Sequence, residues 1–221
     1  MNRIQDQVVR FFRTTPVTAD LIVINLVMFI ATLALGGFDD VNLVRLGGLV
    51  PAYVTENGEW LRILAAMFLH GSVLHFVMNM VALYYLGSAM ERVLGPLRHF
   101  ALYLFAGVGG NLVIAFFGSP DTLTIGASGA LYGIMAAMFY ITLAHRNWFT
   151  PASVAAIRRM IVINFALTFL LPGISVIGHL AGFGCGLIAA VFLVPSVPHF
   201  AQRRRMPVAD DDADDDDGPS A

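Results

Sequence analysis

The chain reads as a succession of long apolar runs broken by short polar or glycine-proline stretches. Apolar windows fall near 18–35, 69–88, 99–117, 126–144, 157–171 and 175–194. Gly36-Gly37, Gly95-Pro96, Gly118-Ser119-Pro120 and Pro172-Gly173 punctuate them. Most windows approach the roughly 20 residues a helix needs to cross about 30 Å of hydrocarbon, so the pattern predicts six membrane-spanning α-helices. The fifth is the weakest, because Arg158 and Arg159 intrude near its start. Arginines at a span's end can snorkel to the interface, so it still counts as a span. The first window is too long, and too far from the N-terminus, for a cleaved leader, and is read as an uncleaved first span.

Composition supports this. Of 221 residues, 57% are hydrophobic and 13% charged, too little charge to cover a soluble domain. The net charge of −2 averages two unlike regions: seven of the fifteen acids lie in the tail "DDDADDDDGPS" from Asp210, and all thirteen basic residues are arginine. With the N-terminus inside, Arg3, Arg10, Arg13, Arg92, Arg98, Arg146, Arg158, Arg159 and Arg203 to Arg205 face the cytoplasm, leaving only Arg45 and Arg62 outside. That asymmetry places both termini in the cytoplasm. The expected fold is all-α and polytopic: a cytoplasmic segment 1–17, a six-helix membrane domain 18–194, and a disordered cytoplasmic tail 195–221, first arginine-rich and then aspartate-rich. The absence of lysine and the compact core point to a prokaryotic plasma (inner) membrane. The single cysteine, Cys185, excludes a disulfide framework and reads as a small packing residue. The outer loop 36–68 contains "VPAYVTENGEWLRILAAMF", an amphipathic stretch suited to an interfacial segment in the outer leaflet.

Polar side chains at membrane depth are few. Span two carries His70, His75 and Asn79, span three Asn111, span four Ser128 and Tyr132, and span six His179. Spans two, four and six all enter from the outer side. Ser128 is expected two or three residues into span four and His179 four or five into span six, roughly 3–8 Å below the outer boundary. His75 is expected about six residues into span two, with Asn79 one turn deeper on the same face. Four polar groups from three distant segments thus reach similar depth.

A serine within reach of a histidine is the minimal nucleophile and base pair. Acyl transfer also needs donors aimed at an oxyanion, which Asn, His or the free N–H groups of a first helical turn can supply. No Asp or Glu occurs in the interior of any span, so a Ser-His-Asp triad is excluded and a dyad is what remains. Zinc has no H-E-x-x-H motif and no buried carboxylate to hold it. Gly129 and Gly133 on span four, and Gly182 and Gly186 on span six, form small-xxx-small patterns that allow the close approach a Ser128–His179 contact requires. From the residues alone a serine hydrolase site leads, with structural polar contacts and a transport path as rivals. A transporter is expected to show ionisable groups along the whole path, whereas this cluster stops in the outer half.

These residues resemble the rhomboid intramembrane serine proteases over about residues 18–194. "GASG" (126–129) is similar to the family's G-x-S-G nucleophile motif, "HFVMN" (75–79) to its H-x-x-x-N motif, and "GHLAGFGCG" (178–186) to its last-span histidine-glycine motif. "EWLR" (59–62) resembles the first-loop tryptophan-arginine motif, with Leu61 separating Trp60 from Arg62. The resemblance implies a six-helix rhomboid-like bundle with a membrane-associated first loop. In it Ser128 is the nucleophile and His179 the general base and later acid. His75, Asn79 and the backbone N–H groups of Ser128 and Ala127 form the oxyanion hole. Tyr132 stacks on the imidazole, His70 fixes the first loop, and Gly126, Gly129, Gly182, Gly186, Trp60 and Arg62 support the site. Glu91 and Arg92 resemble a structural motif at the cytoplasmic end. The implied activity is cleavage of transmembrane segments near the outer face through an acyl-enzyme, in a site opening outward. The implied partners are transmembrane protein substrates and the lipid bilayer, with no nucleic acid, metal or cofactor. A relative that binds helices without cutting them would lack the serine or the histidine, and both are present.

Overall fold

The computed structural model describes residues 3–203, and the aspartate-rich part of the expected tail lies outside the described residues. Amphipathic α1 (Arg3–Thr14) leads into α2 (Pro16–Ala34), where Pro16 at the first helical position fixes the entry. The connecting segment carries three short helices, α3 (Asp40–Arg45), α4 (Pro51–Thr55) and α5 (Arg62–Ala65), with a 3₁₀ turn over Ala66–Phe68. α6 (Val73–Ala82) starts at Ser72, whose hydroxyl accepts the His75 amide. It continues through a π-helical stretch, Leu83–Gly87, into α7 (Ser88–Leu94). α8 (Pro96–Phe117) again begins on a proline. α9 (Ser128–Ala144) follows, then α10 (Pro151–Leu170), capped by Thr150, and α11 (Val176–Leu193), capped by Ser175. A short α12 (His199–Arg203) ends the described chain.

Among the described residues, five helices are long and apolar enough to cross a membrane: Pro16–Ala34, Val73–Leu94, Pro96–Phe117, Pro151–Leu170 and Val176–Leu193. The predicted fourth span is the exception. α9 has 17 residues, about 26 Å of helix against about 30 Å of hydrocarbon. It starts at Ser128 rather than 126, because Gly126 holds φ +123°, which no helix continues through. Ser128 is therefore the first residue of its helix. His75 is the third residue of α6 rather than the sixth of a span, and His70 lies ahead of that helix in the connecting segment. His179 is the fourth residue of α11, as expected. The second span also runs further than its apolar window and takes in Glu91.

α8, α9 and α11 form the tight centre, around Leu102, Tyr103, Leu131, Ile134, Ile141 and Ala190. The glycines set the spacing. A Cβ on Gly182 would collide with the Gly129 carbonyl, and one on Gly186 with the Gly133 backbone, so α9 and α11 meet backbone to backbone. Cys185 packs its sulfur where a Cβ on Gly109 would stand, 2.6 Å away. α10 is far more exposed, with Val162, Ile163, Leu167, Phe169 and Leu170 facing outward.

The connecting segment is tied to the end of the bundle where α9 starts. Leu49 and Thr124 exchange backbone hydrogen bonds of 3.1 and 2.8 Å, and Ala52 N–H donates to the Pro120 carbonyl at 3.0 Å. Asn111 on α8 donates to the Ile63 carbonyl at 2.8 Å. Arg62 Nη1 donates to the carbonyls of Val44 and Gly48, at 2.6 and 2.9 Å, while its Nε bonds Glu59 at 2.7 Å. At the opposite end Glu91 caps α2. Its carboxylate accepts from Val17 N–H (3.0 Å), Thr18 N–H (2.8 Å) and the Thr18 hydroxyl (2.7 Å).

Candidate active site

The start of α9 is built from the loop upward. Gly126 N–H donates to the Ala66 carbonyl at 2.8 Å, which ties the loop to the connecting segment just before the helix begins. Ala127 follows as the N-cap residue, fully buried, and its carbonyl accepts from Leu131 N–H at 3.1 Å. Ser128 then opens the helix, where the first turn's N–H groups have no acceptor within it. Its side chain is held at the wall of α11: Ser128 Oγ lies 2.9 Å from His179 Nε2, across 51 residues of chain.

His179 is buried, and its ring lies flat on Tyr132, with centroids 4.0 Å apart and planes 16° from parallel. Its other nitrogen, Nδ1, lies 2.9 Å from Thr168 Oγ1 on α10. The Tyr132 hydroxyl also contacts Thr168 Oγ1 and donates to the Asn164 carbonyl at 2.8 Å. The imidazole is thus held on its face and at both nitrogens.

The second polar group comes from α6. A Cβ on Gly126 would stand 2.7 Å from His75 Nε2 and 3.6 Å from Asn79 Nδ2, so both side chains crowd the bare glycine two residues before the serine. Asn79 is buried, and its Nδ2 has no hydrogen-bond partner among the described residues. A buried amide donor without an acceptor costs about 1–3 kcal/mol. His70 packs edge-on against His75, ring centroids 5.0 Å apart, and against Phe76 at 5.4 Å. Burial first, and neighbouring His75 second, push the His70 imidazole down to about 3, so it is neutral at ordinary pH.

The structure therefore gathers Ser128, His179, Tyr132, His75, Asn79, Gly126 and Ala127 at one place, with Gly129, Gly182 and Gly186 setting the helix spacing beside it. Trp60 and Arg62 are placed elsewhere. Trp60 is half exposed with its ring 6.2 Å from Phe116, and Arg62 binds carbonyls of the connecting segment below the Tyr53 ring. Sequence reasoning missed Thr168 and Asn164. Their signal was a polar pair four residues apart in the apolar run of span five. Among the described residues, no group of three or more His, Cys, Asp or Glu is placed to hold a metal ion.

Comparison with known proteins gives this geometry its context. Residues 57–196 match the family model described as Rhomboid domain. The chain is 32% identical over 179 residues to "Rhomboid protease GluP" of Bacillus subtilis, covering 80% of this chain and 35% of that protein. It is 31% identical over 165 residues to "RHOMBOID-like protein 4" of Arabidopsis thaliana, covering 74% of this chain and 41% of that one. It is 30% identical over 163 residues to "Rhomboid-type serine protease 2" of Emericella nidulans, covering 72% of this chain and 32% of the other. The chain spans less than half the length of each of these relatives. It belongs to the rhomboid family.

Proposed function

We propose that this rhomboid-family chain is an intramembrane serine endopeptidase that cuts transmembrane segments of other membrane proteins. The observation that carries the reading is the 2.9 Å contact between Ser128 Oγ and His179 Nε2, beside the unpartnered donor of Asn79. His179 takes the Ser128 hydroxyl proton as Oγ attacks the substrate carbonyl. The oxyanion that forms is met by Asn79 Nδ2, His75 Nε2 and the Ser128 backbone N–H, with the Ala127 N–H adjoining. His179 then gives its proton to the leaving amine, and an acyl-enzyme remains. Water, deprotonated by the same imidazole, attacks the ester, and the returned proton restores the Ser128 hydroxyl. The dyad needs no metal or cofactor.

The arginine distribution supports an orientation with both termini in the cytoplasm and the start of α9 toward the outer side. The shortness of α9 supports a serine recessed below the membrane surface, reached by water from above. A substrate helix has its carbonyls hydrogen-bonded and shielded, so it must unwind locally before Ser128 can attack. Segments with Gly, Pro or polar residues near the outer surface are the expected substrates, and by family resemblance a small residue stands on the acyl side of the cut.

The test is fluorophosphonate labelling of the purified chain in detergent, read by mass spectrometry of the modified peptide. An adduct on Ser128, absent in His179→Ala, is expected. An unmodified Ser128, under conditions where a known rhomboid protease reacts, defeats the reading.

A further inference from the structure

We infer that Thr168 is a positioning residue for His179: its hydroxyl accepts the Nδ1–H of the imidazole and so fixes the tautomer that leaves Nε2 bare for the Ser128 proton. The inference rests on the protease reading and adds to it a third residue, supplied by α10.

A neutral imidazole carries one proton, and only the form with that proton on Nδ1 can act as a base at Nε2. The surroundings of Nδ1 decide which form is held. Thr168 is 1% exposed, so no bulk water competes there. Its Oγ1 lies 2.9 Å from Nδ1 and 3.0 Å from the Asn164 carbonyl one turn back, the back-bond a helical threonine makes. The Tyr132 hydroxyl lies 2.8 Å from the same carbonyl. That carbonyl is also the acceptor of the Thr168 N–H within α10, and the Tyr132 hydroxyl proton lies between it and Thr168 Oγ1, which can accept it alongside the Nδ1 hydrogen. With its own proton committed to Asn164, Thr168 Oγ1 presents only lone pairs to His179. Nδ1 must then carry hydrogen. The alternative, a bare Nδ1, would pull the threonine proton off its carbonyl and put hydrogen on Nε2, where the serine proton has to go.

The same arrangement serves the charged state. When Nε2 takes the Ser128 proton, Nδ1–H keeps its acceptor, and the bond strengthens as the ring becomes cationic. No proton passes to Thr168: the Nδ1 proton and the threonine proton both stay where they were. A carboxylate at this point would do the same work with a full charge buried at membrane depth, and α10 and α11 contain no Asp or Glu. A hydroxyl polarised by a helix carbonyl does it without that charge. Tyr132 belongs to both halves, stacking on the ring while its hydroxyl contacts Thr168.

The experiment uses the full chain in lipid nanodiscs with ¹⁵N-labelled histidine. The His179 resonances are identified by difference from His179→Ala, and the ¹⁵N shifts report which ring nitrogen is protonated. Wild-type protein is expected to show hydrogen on Nδ1 and a bare Nε2. Thr168→Val, which keeps the shape and removes the hydroxyl, should shift the population toward the Nε2–H form. It should also lower kcat on the order of tenfold, the worth of one hydrogen bond, with KM unchanged. Thr168→Ser should restore both readings. A wild-type spectrum with hydrogen on Nε2, or a Thr168→Val protein with unchanged tautomer and kcat, overturns the inference. If Thr168→Val does not fold, the wild-type spectrum alone decides. Failure of the protease reading is seen separately, as a wild-type chain whose Ser128 neither takes fluorophosphonate nor cleaves a transmembrane substrate.

Discussion

Two buried polar side chains, Glu91 and Asn79, one toward each end of the bundle, are satisfied in opposite ways. Where α2 begins, Glu91 is 2% exposed, yet its carboxylate accepts three hydrogen bonds, from Val17 N–H, Thr18 N–H and the Thr18 hydroxyl. These donors are the orphan groups of a helix start, so the charge and the helix satisfy each other. Where α9 begins, the helix start has no such carboxylate. It faces a serine, a histidine and an amide whose Nδ2 has no partner. The Glu91 carboxylate has its acceptors filled within the chain, whereas Asn79 Nδ2 beside Gly126 has no partner among the described residues. Stability alone favours the first arrangement. The second is what a site that must receive a transient oxyanion requires.

The sharpest test of that contrast is at the dyad. Ser128→Ala and His179→Ala should each lower cleavage of a model transmembrane substrate by about 10⁴-fold or more, as loss of a nucleophile or its base does elsewhere. Thermal unfolding in detergent should be nearly unchanged for Ser128→Ala, whereas His179→Ala, which also loses the stack on Tyr132 and the bond to Thr168, should unfold at a lower temperature. Substantial residual cleavage by Ser128→Ala would end the assignment of the serine end as the reacting end.

Asn79→Ala comes next and separates activity from stability. Removing one oxyanion donor among several should cost about 10²-fold in kcat. Because the deleted Nδ2 has no partner, the variant should unfold at the same temperature as wild type or a higher one. A clear fall in unfolding temperature would mean that Asn79 is a structural amide and that the two ends differ less than argued. At the other end Glu91→Gln should do the reverse. It replaces one acceptor oxygen by a donor facing α2's own N–H groups, at a cost of about 2 kcal/mol. The folded fraction should keep its kcat within about threefold, a ratio worth less than 1 kcal/mol. A Glu91→Gln protein with wild-type stability and lost turnover would break the comparison from that side.

How much of this was legible in the chain depended on whether the signal was local. The spans followed from apolar windows, and the serine, the two histidines and Asn79 stood out because polar groups are rare at that depth. The short α9 was not legible, because the hydropathy of residues 126 and 127 says nothing of the positive φ at Gly126 or of its bond to Ala66. Arg62 and Trp60 carried a motif-like spacing in the first loop, but the carbonyls of Val44 and Gly48 that Arg62 binds there lie 18 and 14 residues away and could not be read from that spacing. Thr168 was hidden for a different reason. A threonine in an apolar run is common, and its importance rests on which face of α10 meets α11, a long-range fact that periodicity in a weakly amphipathic span does not contain.

The smallest effect tests which variable matters, the end of the bundle or the completeness of its hydrogen bonds. Asn111 lies on α8 toward the serine end and is buried, as Asn79 is. Unlike Asn79, its Nδ2 has an acceptor, the Ile63 carbonyl at 2.8 Å, and the bond ties the connecting segment to the bundle. Position alone predicts that Asn111→Ala behaves like Asn79→Ala. Hydrogen-bond completeness predicts that it behaves like Glu91→Gln on a smaller scale, with stability falling by about 1 kcal/mol as the Ile63 carbonyl loses its partner. On that view kcat stays within about twofold of wild type, a difference well under 1 kcal/mol. Thermal unfolding and cleavage measured on the same preparation separate the two. A large loss of turnover at unchanged stability would show that depth at the serine end, rather than an open donor, marks the residues that act on substrate.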